Sequence, residues 1–439
     1  MDTRRHVALA LADTFLAGEA SQAALAAGAR LALGHNWRWI PHVCRALLKR
    51  TGEHFHAFSR DELAEFIIGY DSFQGAWNNK GDSPQVRRYC IDPPRPAAPP
   101  DWVAPLGLPQ LPTQGDLARW LGVSVTELDW FADRRRHAAE ERLRHYHYRR
   151  VAKKSGGARL IEIPKERLRL MQRQILRQLL ARVPLHDAAH GFRKGHSALT
   201  HAALHSGQAV VIRMDLQDFF ARIPASRIQS LFSRLGYGNG VASALARLCT
   251  NRTPRGMLRQ TDAATRQLLG NRHLPQGAPS SPALANLCAF HLDMRLAALA
   301  ESLGVRYSRY ADDLTFSGGA ELTQAFRRFH IQVTAIAHEE GFIVNARKTR
   351  FMSAATRQSV TGIVVNAGLN VARRDVDRLK AILTNCIRHG TASQNREAHI
   401  EFRAHLLGRI AHVQGVNPAR GARLRALFER IDWSQGRAA

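Results

Sequence analysis

Cysteine is scarce and scattered. The 439-residue chain carries five (Cys44, Cys90, Cys249, Cys288 and Cys386), none in a C-x-x-C pair. That spacing argues against a zinc ribbon and a disulfide framework, and it fits buried thiols in a reducing cytoplasm. Long apolar runs are missing as well: no stretch approaches the ~20 residues that a membrane-spanning helix requires. Near the N-terminus Arg4 and Arg5 precede an apolar stretch, but Asp13 interrupts it and Glu19 follows. An amphipathic helix is expected there rather than a signal peptide. Acidic residues are the third shortage, 36 against 63 Lys and Arg, for a net charge of +27. The excess is spread along the chain instead of being gathered in one tail. It points to nucleic acid rather than a membrane surface, because each phosphate neutralised releases counterions.

What is present divides the chain into parts. The length suggests two or three domains. The run Asp92-Pro93-Pro94-Arg95-Pro96-Ala97-Ala98-Pro99-Pro100 cannot continue a helix or an inner strand, so residues 93–110 read as a proline-rich linker. Residues 1–92 before it read as a helical unit, with an alanine-rich stretch over 23–33 and Ile40, Val43, Leu47 and Leu48 at helical spacing. Trp37 and Trp39, beside Arg38, Arg45, Lys49 and Arg50, suit either base stacking or, more commonly, a core anchor with a solvated basic face. Residues 111–148 read as helical, with Thr113 as N-cap and Leu117, Leu121 and Leu128 apolar. A short strand over 159–164 and a helix over 168–183 follow. Strands and helices then alternate to about residue 352, and the chain is helical and basic beyond Arg373. This order gives an α+β body.

The chemistry centres on Tyr310-Ala311-Asp312-Asp313, two adjacent carboxylates at a tight turn between extended segments. An isolated Asp-Asp pair is most often a solvated acidic turn. Buried, it needs a cation, and hard Mg²⁺ prefers carboxylate oxygens. A third carboxylate comes from Val210-Val211-Ile212-Arg213-Met214-Asp215, an apolar β-branched run ending in Asp, as expected of a buried strand that delivers an acid to a cleft. Such a set suits two Mg²⁺ ions ~3.5–4 Å apart, with Mn²⁺ able to substitute, catalysing phosphoryl transfer by positioning and charge neutralisation. Asp218, on the following turn, is the weaker candidate, with a helix cap as its alternative reading. His201 and His205 have the i, i+4 spacing of zinc ligands but no third ligand nearby, so packing or polar contacts are expected of them.

These segments resemble the palm of a reverse transcriptase. Leu274-Pro275-Gln276-Gly277-Ala278-Pro279-Ser280-Ser281-Pro282 matches that family's Q-G-x-x-x-S-P segment, and His190-Gly191-Phe192-Arg193-Lys194-Gly195 its bacterial H-G-F segment. The joint match spans roughly residues 145–370. Within the family the retron enzymes fit best. Val360-Thr361-Gly362 resembles their V-T-G signature, whereas their N-A-x-x-H segment reads here His201-Ala202-Ala203-Leu204-His205, with His in place of Asn. Ser281-Pro282 differs from the S-Q typical of diversity-generating enzymes, and the tail leaves little room for a maturase region.

The resemblance implies a right-hand polymerase fold with an N-terminal helical domain: N-terminal helices and fingers over 111–208, a palm with an antiparallel sheet and part of the fingers over 209–370, and a helical thumb over 371–439. It makes Asp215, Asp312 and Asp313 catalytic and metal-binding. It places Gln276 and Gly277 at the incoming nucleotide, Arg159 (after Lys153 and Lys154) on its triphosphate and Lys348, beside Arg347, near the pyrophosphate. Phe220, in competition with Phe219, would be the sugar gate. Val360, Thr361 and Gly362, with Arg373, Arg374, Arg378 and Lys380 of the thumb, would contact RNA through shape and 2′-OH groups. The implied partners are a structured non-coding RNA, its DNA product, dNTPs, an effector protein and a separately acting host RNase H, with no membrane. The implied activity is synthesis of a branched RNA–DNA hybrid (msDNA) in cytoplasmic anti-phage defence. The rivals are another bacterial reverse transcriptase, group II-like, protein-primed or template-independent, and a non-catalytic RNA-binding scaffold.

Overall fold

The computed structural model describes residues 3–17, 20–52, 55, 58, 60–78, 83–89, 100–133, 141–152, 158–259 and 261–434. Lys153, Lys154, Cys90 and the linker up to residue 99 lie outside the described residues. In chain order the helices are α1 (Thr3–Ala17), α2 (Gln22–Leu33), α3 (Ile40–Thr51), α4 (Arg60–Ile68), α5 (Asp71–Gly75), α6 (Gln114–Leu121) and α7 (Val125–Phe131). The hairpin β1 (Tyr146–Ala152) and β2 (Ala158–Pro164) follows, then α8 (Glu166–Gln178), α9 (Ala198–Ala203) and β3 (Val210–Asp215). Next come α10 (Ala225–Arg234), α11 (Asn239–Cys249), α12 (Ala263–Gly270), α13 (Ser281–Cys288) and α14 (Phe290–Ser302). The chain continues through β4 (Arg306–Tyr310), β5 (Asp313–Gly318), α15 (Glu321–Glu339), β6 (Arg350–Ser353), β7 (Ser359–Val360) and β8 (Ile363–Val364). It finishes with α16 (Arg373–His389), α17 (Phe402–Val416) and α18 (Pro418–Glu429).

The chain divides into two compact units. One comprises Met1–Pro105, Gln110–Asp129 and Phe232–Ala244. Its helices α1 to α5 close on a core that includes Leu11, Phe15, Leu25, Val43, Leu47, Ile67 and Phe73. Local signals fix their ends: Ser21 Oγ accepts the Ala24 amide at 3.2 Å, and Gly34 takes a left-handed φ of 66° where α2 stops. Trp39 is 7% exposed and meets Phe73 edge-on at 5.1 Å, while Trp37 packs on the same core. These tryptophans anchor the core.

The second unit comprises Leu106–Pro109, Trp130–Leu231 and Leu245–Ala439. Its centre is a four-stranded antiparallel sheet in the order β4-β5-β3-β6, which sets the two middle strands, β3 and β5, side by side. Helix α14 packs on β4, and α9 packs on β4 and on the β7–β8 hairpin. Helices α16 to α18 make a separate small core around Leu383, Leu406, Ile410 and Phe428. Among the described residues no single helix is long and apolar enough to cross a membrane; the pair α13 and α14, bent by 49°, passes on length and composition only. Cys44, Cys249, Cys288 and Cys386 are buried free thiols.

Two local expectations are corrected. The helical reading of residues 111–148 stops well short: α6 ends at Gly122 (φ 70°), α7 at Phe131, and Tyr146 to Tyr148 belong to a strand. The cause is non-local, since Tyr146, His147 and Tyr148 pair with Pro164, Ile163 and Glu162 across the hairpin. Asp218 caps no helix. It occupies a turn with φ of 51°, accepts the Arg222 amide on its own carbonyl at 3.0 Å, and precedes α10 by several residues.

Candidate active site

The sheet brings the three predicted carboxylates to one end. Asp215 is the last residue of β3 and lies directly opposite Asp313, the first of β5. The Leu216 amide donates to the Asp312 carbonyl at 2.8 Å, which ties the turn to the strand beyond Asp215. Residues about a hundred positions apart therefore meet through the register of β3 against β5, whose pairing buries Val210, Val211, Ile212 and Met214.

Two cations already serve this cluster. Lys348, at the end of the short 3-10 turn Ala346–Lys348, donates its Nζ to Asp215 Oδ1 at 2.7 Å. Arg213, two residues before Asp215 and so on the same face of β3, bonds Asp313 Oδ2. Burial, then the charge of Asp215, holds the Asp312 carboxyl above the usual range. Burial raises Asp313 too, against the pull of Arg213. Such carboxylates are short of positive charge, and their hard oxygen donors suit a divalent cation. As the side chains stand, no three acidic, His or Cys groups among the described residues close around an ion, because Asp215 is turned to Lys348 and Asp313 to Arg213.

The Gln-Gly loop packs against the β1–β2 hairpin. The Glu162 amide donates to the Gln276 carbonyl at 2.9 Å. Gly277 has φ of 129°, and a Cβ there would stand 2.8 Å from the Glu162 carbonyl oxygen and 3.0 Å from Ile161. Only glycine permits that approach. Beneath it Glu162, 1% exposed, accepts from Thr253 Oγ1 at 2.7 Å, Asn251 Nδ2 at 2.8 Å and His273 Nε2 at 2.8 Å. His273 Nδ1 faces the Asn271 carbonyl at 2.8 Å, so both ring nitrogens donate when Glu162 is ionised. Burial opposes that charge, but the Glu162 carboxylate outweighs it and raises the His273 pKa; burial likewise opposes Glu162, whose pKa is lowered by His273, Thr253 and Asn251.

The remaining predicted residues are placed as follows. Phe219 is 3% exposed and packs on Phe342 at 5.4 Å, whereas Phe220 is half-buried with its ring 6.2 Å from Phe192, itself 51% exposed. Arg159 is exposed near the loop end of the hairpin, opposite Val151, and no ion pair joins it to the carboxylates among the described residues. Val360 is buried; Thr361 (φ 48°) and Gly362 (φ 85°) turn the β7–β8 hairpin, with Thr361 Oγ1 donating to the Ala198 carbonyl at 3.1 Å. Arg373, Arg374, Arg378 and Lys380 are exposed on α16. His205 sits between Ser308 Oγ and Ser317 Oγ, each at 2.7 Å, and burial pushes its pKa down to about 3, so it is a neutral polar bridge against β4 and β5. Sequence reasoning passed over Arg213, Glu162, His273, Asn286, Asp293 and Arg309, and treated Gly191 only as part of a motif.

Comparisons with known proteins identify the family. The family model described as reverse transcriptase (RNA-dependent DNA polymerase) matches residues 151–374. The chain is 42% identical over 322 residues to the retron Mx65 reverse transcriptase of Myxococcus xanthus, covering 73% of this chain and 72% of that one. It is 36% identical over 340 residues to the retron Mx162 reverse transcriptase of the same organism, covering 74% and 68%. To the retron Ec86 reverse transcriptase of Escherichia coli it is 32% identical over 263 residues, covering 60% and 73%.

Proposed function

The chain belongs to the retron reverse transcriptases and is an RNA-directed DNA polymerase, and we propose that it copies part of a structured non-coding RNA bound to it into a branched RNA–DNA hybrid, in the service of anti-phage defence. The observation that carries the reading is the register that sets Asp215 against Asp313 and ties Asp312 beside them. Reverse transcriptases generally use divalent metal ions. Here Asp215, Asp312 and Asp313 would hold two Mg²⁺, which when bound activate the attacking hydroxyl and neutralise the departing pyrophosphate. Lys348 would leave Asp215 and turn its ammonium to the phosphate oxygens, and Arg213 would remain as the balancing charge behind Asp313. Arg159 and the Gln276-Gly277 loop would hold the nucleotide between the hairpin and the sheet. In the right-hand fold of the family, residues 111–208 would then form the N-terminal helices and fingers, 209–370 the palm and 371–439 the thumb. The exposed basic face of α16 and the Thr361-Gly362 turn would track the RNA.

The priming hydroxyl would be a guanosine 2′-OH within the RNA. Purified protein incubated with dNTPs, Mg²⁺ and the RNA that co-purifies with it is expected to yield DNA joined to that RNA by a 2′–5′ linkage. Such a product survives phenol extraction and is cut by debranching enzyme. DNA made only from an added primer would sink the branched-product reading and leave the polymerase intact.

Phe220 supplies a sharper check. Its half-buried ring follows the β3 carboxylate by five residues, next to the fully packed Phe219. Phe220→Ala is expected to raise the kcat/KM for a ribonucleotide relative to its deoxy counterpart by about 10–200-fold, the range that steric discrimination in a pocket supports. Phe219→Ala is expected to destabilise the protein without moving that ratio. An unchanged ratio in the Phe220 variant rules out the gate.

A further inference from the structure

A fully buried arginine lies directly beneath the carboxylate turn. Arg309 and Asp293 both have 0% side-chain exposure, and they form a two-point pair: Nε to Asp293 Oδ1 at 2.8 Å and Nη2 to Asp293 Oδ2 at 2.6 Å. An ion pair alone would leave Nη1 idle. Instead Nη1 donates twice, to Asn286 Oδ1 at 3.0 Å and to the Ala311 carbonyl at 3.0 Å. The guanidinium also lies over the Phe219 ring at 5.7 Å.

Ala311 is the residue that needs such a contact. It has φ of 58°, a left-handed conformation that a side chain with a Cβ disfavours, and it immediately precedes Asp312. Strained backbone of this kind persists only where its surroundings over-determine it. Three restraints converge. Arg309 holds the Ala311 carbonyl from one side. Gly191 lies so close on the other that a Cβ there would stand 2.5 Å from the Ala311 nitrogen. Asn286, which accepts from Arg309, also donates its Nδ2 to the Gly191 carbonyl at 2.8 Å and so joins the two jaws.

We propose that Arg309 is a positioning residue for DNA synthesis: anchored on Asp293 and Asn286, its planar fork clamps the Ala311 carbonyl and fixes the turn that presents Asp312 and Asp313. The requirement is for the fork rather than the charge. A lysine ammonium has three donors around a single point and cannot span both Asp293 oxygens, Asn286 and Ala311 at once. The inference rests on Asp312 and Asp313 being the catalytic carboxylates, which their own substitution tests separately.

The experiment compares Arg309→Lys with Tyr307→Phe, which removes a different hydrogen bond to the same Asp293, from Tyr307 Oη at 2.8 Å, and leaves the clamp in place. Arg309→Lys is expected to lower kcat for single-nucleotide addition by about 10²-fold, the scale of a misplacement near 1 Å. The KM for dNTP and RNA affinity should stay within threefold (about 0.7 kcal/mol), and amide exchange in the 310–313 turn should quicken. Tyr307→Phe is expected to lower thermal stability while kcat stays within twofold. Should Arg309→Lys fail to fold, Asn286→Ala keeps the ion pair, frees both jaws and is expected to lower kcat about tenfold, a smaller misplacement of the same turn. The proposal is overturned if Arg309→Lys (or Asn286→Ala in its place) retains wild-type kcat, or if Tyr307→Phe loses kcat as deeply. If the Asp312 and Asp313 substitutions leave synthesis intact, it is instead the assignment of the site that fails.

Discussion

Primer extension by an Asp312→Asn/Asp313→Asn protein is expected to fall by at least about 10³-fold, while its affinity for structured RNA is unchanged or slightly higher. Asn keeps the size and shape of Asp while removing its charge and replacing one acceptor oxygen with a donor, so the turn between β4 and β5 should persist. Losing a single preorganised electrostatic partner already costs on the order of 10²–10³ in rate. Two lost together from a cluster of three leave too little anionic charge to hold paired divalent ions. RNA affinity has no reason to fall, since removing negative charge from a protein of net charge +27 can only ease the approach of phosphates.

The single variants carry a second signature, in stability. The Asp312 carboxyl is held above its usual pKa by burial and by the charge of Asp215, so its ionised form is unfavourable in the fold at neutral pH. Asp312→Asn is therefore expected to raise the thermal midpoint measured without divalent ions. Asp313→Asn should not, because it strands Arg213, whose partner it removes. Mg²⁺ should raise the midpoint of the wild type and have little effect on the double variant. Full extension by the double variant, or an equal Mg²⁺ response, would sink the assignment of these carboxylates.

The elements that proved legible share one property: their signal is local. Val210-Val211-Ile212 followed by Asp215 announces a buried strand with an acid at its tip, and the strands flanking Tyr310-Ala311-Asp312-Asp313 announce a turn. Thr113 reads as an N-cap and is one, closing a capping box with Asp116. What stayed hidden depends on partners far apart in the chain. Glu162 looks like a solvent-facing residue of a short strand until His273, 111 positions on, is folded against it. Arg309 looks like one more cation of a basic protein, and neither Asp293 nor Asn286 carries a pattern that points to it. The strand at Tyr146 to Tyr148 was hidden for the same reason, because its pairing with Glu162, Ile163 and Pro164 overrides a local preference for helix.

That hidden pair should be costly to break. His273→Leu is expected to destabilise the sheet-containing unit by about 3–5 kcal/mol, seen as a lower urea midpoint, because it leaves a buried carboxylate with its ionic partner gone. Replacing both members, as Glu162→Gln/His273→Gln, is expected to cost less, since no uncompensated charge remains. The pH dependence follows from the two shifts. His273 has a raised pKa, so its contribution is complete below the ordinary value of 6.5 and is lost as pH climbs through the raised one. Glu162 has a lowered pKa, so its contribution is complete above 4.5 and is lost as pH falls through the lowered one. The stability difference between wild type and the double variant should therefore form a plateau between those two values and decline on both sides. A flat difference, or a double variant as unstable as His273→Leu, would show that the pair is not ionic. Activity should follow the same lever, because the Glu162 amide carries the Gln276 carbonyl and Gly277 rests on the Glu162 carbonyl. Loosening β2 at Glu162 moves that loop, so the KM for dNTP should rise in His273→Leu at temperatures where the protein is still folded. The buried charge pair thus keeps the hairpin and the glycine loop in register, and on the proposed function the nucleotide held between them depends on it.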